Sequence, residues 1–507
     1  MSLDWSFFSS PARRRRRRLR WTGAALAAVL AGAATVWLAG LGWGVDESRT
    51  ESRLESWRRL LILPGRSADP GGPRPSGPRR LVGRLDPPPK QGLEKAELAA
   101  IIGSRNLSPT EARLFSAEGP DGQPLFVRTT LDPELQALAC RLVEDSKALK
   151  TALVVLDPRD GRVLALAGAS AGQADGNAAL EGSFPAASLF KIVTAAAAVE
   201  KADFTADSAV SYDGGKHTLF KGNVFKEPNQ GRHQATLRES FAESINVVFG
   251  KLGTFAVTPE ELVDLAERFR FNEDIDFEMP VAASTFELGL AGSEEDSADH
   301  EGLGTPAEQE AFHLAELASG FNRVTRVSPV HGALMASAVA MDGELFEPTI
   351  VSEVFDRDNN VLYRSRPQSL GQIVAPETAH ELAALMRAAV SEGTGRKRFA
   401  DAAVHPLLSR LELGGKSGTI NDEDGARVDW FVAYAKPSQD GETAGPLALA
   451  AVVVHDGRTA TVSQEMVRRA ALAWYGPRLS EPKSGARSGA TAARGKEAQA
   501  TRPGRRS

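Results

Sequence analysis

The sequence predicts an α+β domain whose antiparallel sheet is assembled from both ends of one folded unit. Two observations carry this. A strand–turn–strand pattern stands early, over residues 151–156 and 162–168, and three strand-like runs stand late, over 413–420, 429–435 and Leu447–His455. Between them lie helical patterns at 188–201, 236–252, 308–319 and 328–341, and a closing helix is expected over 461–475. Strands at both ends with helices between them place helices against an antiparallel sheet.

The elements follow in chain order. Residues 1–20 carry Arg13 to Arg18 and Arg20 against the lone acid Asp4 and read as a cytoplasmic basic segment. Residues 21–45 contain no charge and are mostly Ala, Gly, Leu and Val, with Trp21, Trp37 and Trp43 toward the ends. At about 1.5 Å per residue they can cross a ~30 Å hydrocarbon core as a single transmembrane helix. The arginines before it keep the N-terminus inside and send the rest of the chain outward. A cleaved signal peptide has a shorter apolar stretch, so a retained anchor is expected. Residues 46–124 form a linker and small juxtamembrane region. The proline and glycine density of 61–92 makes a stiff, extended spacer, and 93–116 show weak helical periodicity with no assigned role. Residues 125–477 have the pattern of one large folded unit. Residues 478–507 lack aromatics, are rich in Gly, Ala, Ser and Arg, and are expected to be a disordered basic tail.

Composition narrows the function. The chain has 507 residues, 42% of them hydrophobic, which excludes wholesale disorder. Its one cysteine, Cys140, excludes an internal disulfide framework and a cysteine-built metal site. Its apolar helical context (LQALACRLV) marks it as a buried small residue. The 8 histidines show no metal-ligand spacing, so no metal and no cofactor are expected. The net charge of −5 hides two basic ends on an acidic body. Such a body repels polyanions, so nucleic acid is not expected as a ligand. The acidic stretch 294–301 reads as a solvated loop.

Three short segments carry chemistry. In FPAASLFK, Ser188 and Lys191 are three apart, so a helix puts the amine within reach of the hydroxyl. Ser188 also suits the helix cap, where the free N–H groups and the dipole favour an oxyanion. A desolvated lysine can titrate low enough to take the serine proton. Alone, Ser-x-x-Lys recurs by chance. Ser244 and Asn246, in FAESINVVFGKLG, are equally compatible with an ordinary polar pair near a helix start. Lys416-Ser417-Gly418-Thr419, in LELGGKSGTIND, sits in a strand-like context. There Lys416 and Gly418 share one face, and Ser417 and Thr419 the other. Gly418 lets another backbone come close, and a peptide substrate can add alongside such a strand. A plain glycine-rich turn is the alternative.

In this order the three segments resemble the motif set of the penicillin-binding serine enzymes: Ser-x-x-Lys, Ser-x-Asn, Lys-Ser/Thr-Gly. The flanks are similar too. Thr129 to Gln136 resembles the first strand and helix of their transpeptidase domains. Glu392-Gly393-Thr394-Gly395 is similar to the segment before the third motif, and Asp429 to Tyr434 to the strand after it. The resemblance covers about 125–475. It implies the penicillin-binding transpeptidase fold, which is serine β-lactamase-like: a five-stranded antiparallel sheet flanked by helices, plus an all-helical part. Because no glycosyltransferase domain fits into 46–124, the resemblance is to the class B-like proteins.

The resemblance also implies roles. Ser188 is the nucleophile acylated by the penultimate D-Ala of a stem peptide, or by a β-lactam, and Lys191 is its base. Ser244 and Lys416 relay a proton to the leaving D-Ala. Asn246 binds the substrate amide. Ser417, Gly418 and Thr419 bind substrate, with the two hydroxyls on the terminal carboxylate. The backbone N–H groups of Ser188 and Thr419 form the oxyanion hole. The implied partners are peptidoglycan stem peptides ending in D-Ala-D-Ala, β-lactams, a glycan-polymerising protein, and the inner membrane through 21–45. The catalytic part then lies outside the bacterial cytoplasmic membrane.

Two departures stand out. Ala186-Ala187 replaces the more usual Pro-Gly before the nucleophile, and 46–124 lacks the Arg-Gly-x-Ile-x-Asp-Arg stretch of class B proteins. Residues 271–281 (FNEDIDFEMPV) mimic a glycosyltransferase motif but lie within the transpeptidase region and read as one of its loops. Three functions remain open: a D,D-transpeptidase; a D,D-carboxypeptidase or β-lactamase of the same superfamily; and a non-catalytic scaffold of a wall-synthesis complex. The absence of a convincing Glu-x-x-x-Asn deacylation motif after Asn246 disfavours rapid β-lactam hydrolysis.

Overall fold

The computed structural model describes residues 92–171, 177–288, 305–438, 444–457, 459 and 461–479. The expected basic segment 1–20, the span 21–45, most of the linker, the acidic loop 294–301 and nearly all of the basic tail lie outside the described residues. Among the described residues no helix is long and apolar enough to cross a membrane.

The central sheet contains β1 (Lys150–Leu156), β2 (Val163–Ser170), β3 (Leu411–Asn421), β4 (Arg427–Pro437) and β5 (Leu447–His455). Its order is β3-β4-β5-β1-β2, antiparallel throughout. The first hairpin therefore pairs with the last strand, and β3 is left at one edge. All of β5 is buried, and so is β1 after its first residue, which is why these runs are continuously apolar rather than alternating.

The helices around this sheet are α1 (Pro133–Ser146), α2 (Lys191–Ala202), α3 (Leu237–Ala242), α4 (Asn246–Lys251), α5 (Pro306–Ser319), α6 (Pro329–Ala340), α7 (Pro376–Ser391) and α8 (Ser463–Leu479). Successive strand residues face opposite layers. Val154, Trp430, Val432, Ala450 and Val452 join the inner core with α6, every residue of which is buried. Val155, Phe431, Ala433, Leu449 and Ala451 pack on the other face with Leu135 of α1 and with Met466 and Tyr475 of α8. Asp132 caps α1 through the N–H groups of Glu134 and Leu135, and Ser328 caps α6.

The structure departs from the sequence expectations at four places. Ser188 is not a cap: a 3-10 turn, Ala187–Phe190, precedes α2, and no side chain caps it. The helix expected over 236–252 is two, broken at Ser244, whose φ is 56°. The closing helix runs on to Leu479, so residues 478–479 are helical rather than tail, and Arg478 pairs with Asp132 at 3.1 Å. Finally, strand Leu114–Glu118 pairs with Pro124–Thr129, which pairs with Val351–Phe355 and through it with Val361–Arg364. The boundary expected between 124 and 125 thus falls inside a hairpin. Helix Lys95–Ile102 and Leu98, Ile102, Leu107 and Phe115 share the inner core.

Candidate active site

Each motif is delivered by a sharp local feature. Ser188 lies in the 3-10 turn, directly after Ala187, whose φ of 49° is left-handed. Three neighbours hold that turn. Trp430 Nε1 donates to Pro185 O at 2.9 Å. Gly418 of β3 is so close that an added Cβ would sit 3.2 Å from Ala187 Cβ and 3.3 Å from Ala186 O. Gly320, at the end of α5, has φ +65°, and a Cβ there would overlap Ala187 O. Ser244 occupies the break between α3 and α4, and Asn246 opens α4. Lys416 lies on edge strand β3 and points into the protein, whereas Ser417 and Thr419 face the cleft.

These positions, far apart in sequence, meet in one network. Lys191 Nζ lies 2.8 Å from Ser188 Oγ. It also donates to Asn246 Oδ1 at 2.8 Å and to the carbonyl of Ser319. Ser244 Oγ donates to Ser188 Oγ at 2.8 Å. Lys416 Nζ donates to Ser244 Oγ at 3.0 Å and to Ser417 O at 2.9 Å. Both amines are fully buried, beside the rings of Phe249 and Phe241 respectively. Burial pushes the Lys416 amine down to about 7. Burial, then the neighbouring Lys416, pushes Lys191 well below its ordinary range.

A neutral amine has two N–H bonds and one lone pair. Lys191 gives the N–H bonds to Asn246 and Ser319, so its lone pair faces the Ser188 proton. That is the arrangement of a base set against a nucleophile.

The cleft above has a volume of about 540 Å³. Ser188, Ser244, Asn246, Ser417 and Thr419 line it, with His217, Thr394, Arg398, Arg427 and Asp429. Asn246 is held through backbone and side chain: its backbone N–H donates to Lys216 O at 2.7 Å, and its side-chain amide to His217 O at 3.1 Å. All the residues expected at the site converge here. The sequence reading missed Ser319 and Gly320, which act through a carbonyl and a positive φ. Their only signal is a glycine after a helical run. It also missed His217 and Arg398, which carry no motif.

Comparison with known proteins adds a family and a fold. The family described as "Penicillin binding protein transpeptidase domain" matches residues 151–469. The chain is 26% identical over 404 residues to the peptidoglycan D,D-transpeptidase PbpA of Mycolicibacterium smegmatis, covering 72% of this chain and 74% of that protein. It resembles the D,D-transpeptidase domain of a peptidoglycan glycosyltransferase from Eggerthella lenta, with a TM-score of 0.52, 26% identity, and coverage of 68% of this chain and 82% of that one. It shares its fold with penicillin-binding protein A of M. tuberculosis, solved as an imipenem acyl-enzyme complex: TM-score 0.53, 22% identity, coverage 68% and 79%. The family match spans more than half of the chain and includes all three motifs with the sheet that holds them, so the chain belongs to the penicillin-binding protein transpeptidase family.

Proposed function

We propose that this protein is a serine D,D-transpeptidase that cross-links peptidoglycan stem peptides and is acylated by β-lactams, tethered to the bacterial cytoplasmic membrane through residues 21–45 with its catalytic part outside. The observation that carries the reading is a single hydroxyl, Ser188, contacted by a buried base and by a relay serine that a second buried amine holds.

Ser188 Oγ attacks the carbonyl carbon of the penultimate D-Ala while its proton passes to Lys191. The N–H groups of Ser188 and Thr419 receive the oxyanion; removing one donor of such a hole costs about 3–4 kcal/mol. Collapse breaks the peptide C–N bond. The leaving D-Ala nitrogen takes a proton through Ser244, which Lys416 replenishes. An acceptor amine on a second stem peptide then attacks the ester, its proton passing through Ser244 back to Lys416, and the ester C–O bond breaks as Lys191 returns a proton to Ser188. Asn246 orients the substrate amide, and Ser417 and Thr419 face its carboxylate. A β-lactam enters by the same attack, its ring C–N bond opening instead. A glycan-polymerising partner supplies the strands to be joined.

The test is labelling with a fluorescent penicillin, with the adduct mapped by mass. Wild type should carry the adduct on Ser188, and Ser188→Ala should carry none; labelling of both alike would remove the reading. Incubation with D-Ala-D-Ala stem peptides should give cross-linked dimers. Trimmed monomer alone would make the enzyme a D,D-carboxypeptidase.

A further inference from the structure

Of the two arginines lining the cleft, one is left without a carboxylate among the described residues. Arg427 Nε lies 3.1 Å from Asp429 Oδ1, and His455 Nε2 lies 3.0 Å from Asp429 Oδ2. Lys191 and Lys416 are engaged in the catalytic network. Arg398 lines the same cleft and is exposed, and among the described residues no carboxylate lies within ion-pair distance of it. Its near neighbour in sequence, Asp401, is held by Arg468 at 2.7 Å.

The hydroxyls that face an incoming carboxylate are themselves engaged. Thr419 Oγ1 donates to Asp429 Oδ1 at 2.8 Å, and Ser417 Oγ shares a proton with Thr394 Oγ1 at 2.6 Å. A hydroxyl has one proton to give. With that of Thr419 directed at Asp429, it is not free for an incoming carboxylate. Arg398 is placed to supply what is lacking. It lies on the tight turn after Thr394, its own N–H donating to Gly395 O at 2.9 Å, and Thr394 touches Ser417. Its side chain lines the cleft together with Thr394 and Ser417, and a guanidinium matches a carboxylate with two parallel hydrogen bonds.

We infer that Arg398 is a specificity-determining residue that receives the terminal carboxylate of the acyl-donor peptide beside Ser417. This rests on the reading of the cleft as a site for a peptide ending in D-Ala.

The test compares acylation of the full chain by benzylpenicillin, whose carboxylate stands in for that terminus, and by its methyl ester. Arg398 is exposed, so its variants should melt as wild type does. R398A should lower the second-order acylation rate for the free acid about ten-fold or more. R398E should lower it further, R398K should retain part of it, and the rate for the ester should not change. An equal fall for acid and ester, or no fall for either, would overturn the inference. Labelling of Ser188→Ala at the wild-type rate would instead remove the active-site reading, and that control is read separately.

Discussion

Burying an amine disfavours its charged form, and Lys191 and Lys416 are both fully withdrawn from water. For Lys416 the consequence for stability has a definite sign. Its ordinary value is 10.5, and in the fold it is about 7. Between those limits the unfolded chain holds a proton that the folded chain has released, so this group makes stability rise with pH across that window. Below about 7 both states are protonated and the penalty of the buried charge is present in full. Lys416→Met should therefore raise the melting temperature at neutral pH and flatten its rise toward pH 10. The same variant should lose about 10²-fold or more in acylation, because the relay to Ser244 is gone. Thermal melts across pH, with penicillin labelling alongside, check this, and a variant that melts lower at pH 7 contradicts it.

At the scale of elements, the placing of Ser188 depends on a turn that side-chain patterns do not describe. Ala187 is left-handed at about 1–2 kcal/mol of strain. Gly418 and Gly320 close in on it from β3 and from the end of α5. Gly320→Ala would drive a methyl into Ala187 O at a backbone conformation that suits glycine. It should cost about 2–3 kcal/mol and depress acylation by displacing Ser188. An unchanged melt with full labelling would contradict this. The motifs were legible because they are residue types at short spacings, and β5 because every position before His455 is apolar. The break at Ser244 was hidden because the apolar pattern of 236–252 continues across it, and a positive φ leaves no trace in that pattern. Ser319 was hidden for a related reason: its contribution to Lys191 is a backbone carbonyl, which any residue type carries.

At the scale of the molecule, the segment before the folded unit is part of its packing. The hairpin Leu114–Glu118/Pro124–Thr129 extends strands Val351–Phe355 and Val361–Arg364, and Leu98, Ile102 and Leu107 lie in the common core. Its pairing partners lie more than two hundred residues further along the chain, too distant for sequence periodicity to reveal. A chain begun at Leu125 should melt at lower temperature and scatter light, because it exposes an unpaired strand edge and apolar surface. Equal melts for the truncated and the longer protein would show that this packing contributes nothing.

Ser188 meets Ser244 across 56 residues and, through it, Lys416 across a further 172. No stretch shorter than 188–416 holds the whole trio, so labelling by a β-lactam should appear only once these distant segments have come together. A penicillin tag should therefore count molecules whose site has assembled: applied at intervals after dilution from denaturant, it would clock that assembly, independently of any spectroscopic signal.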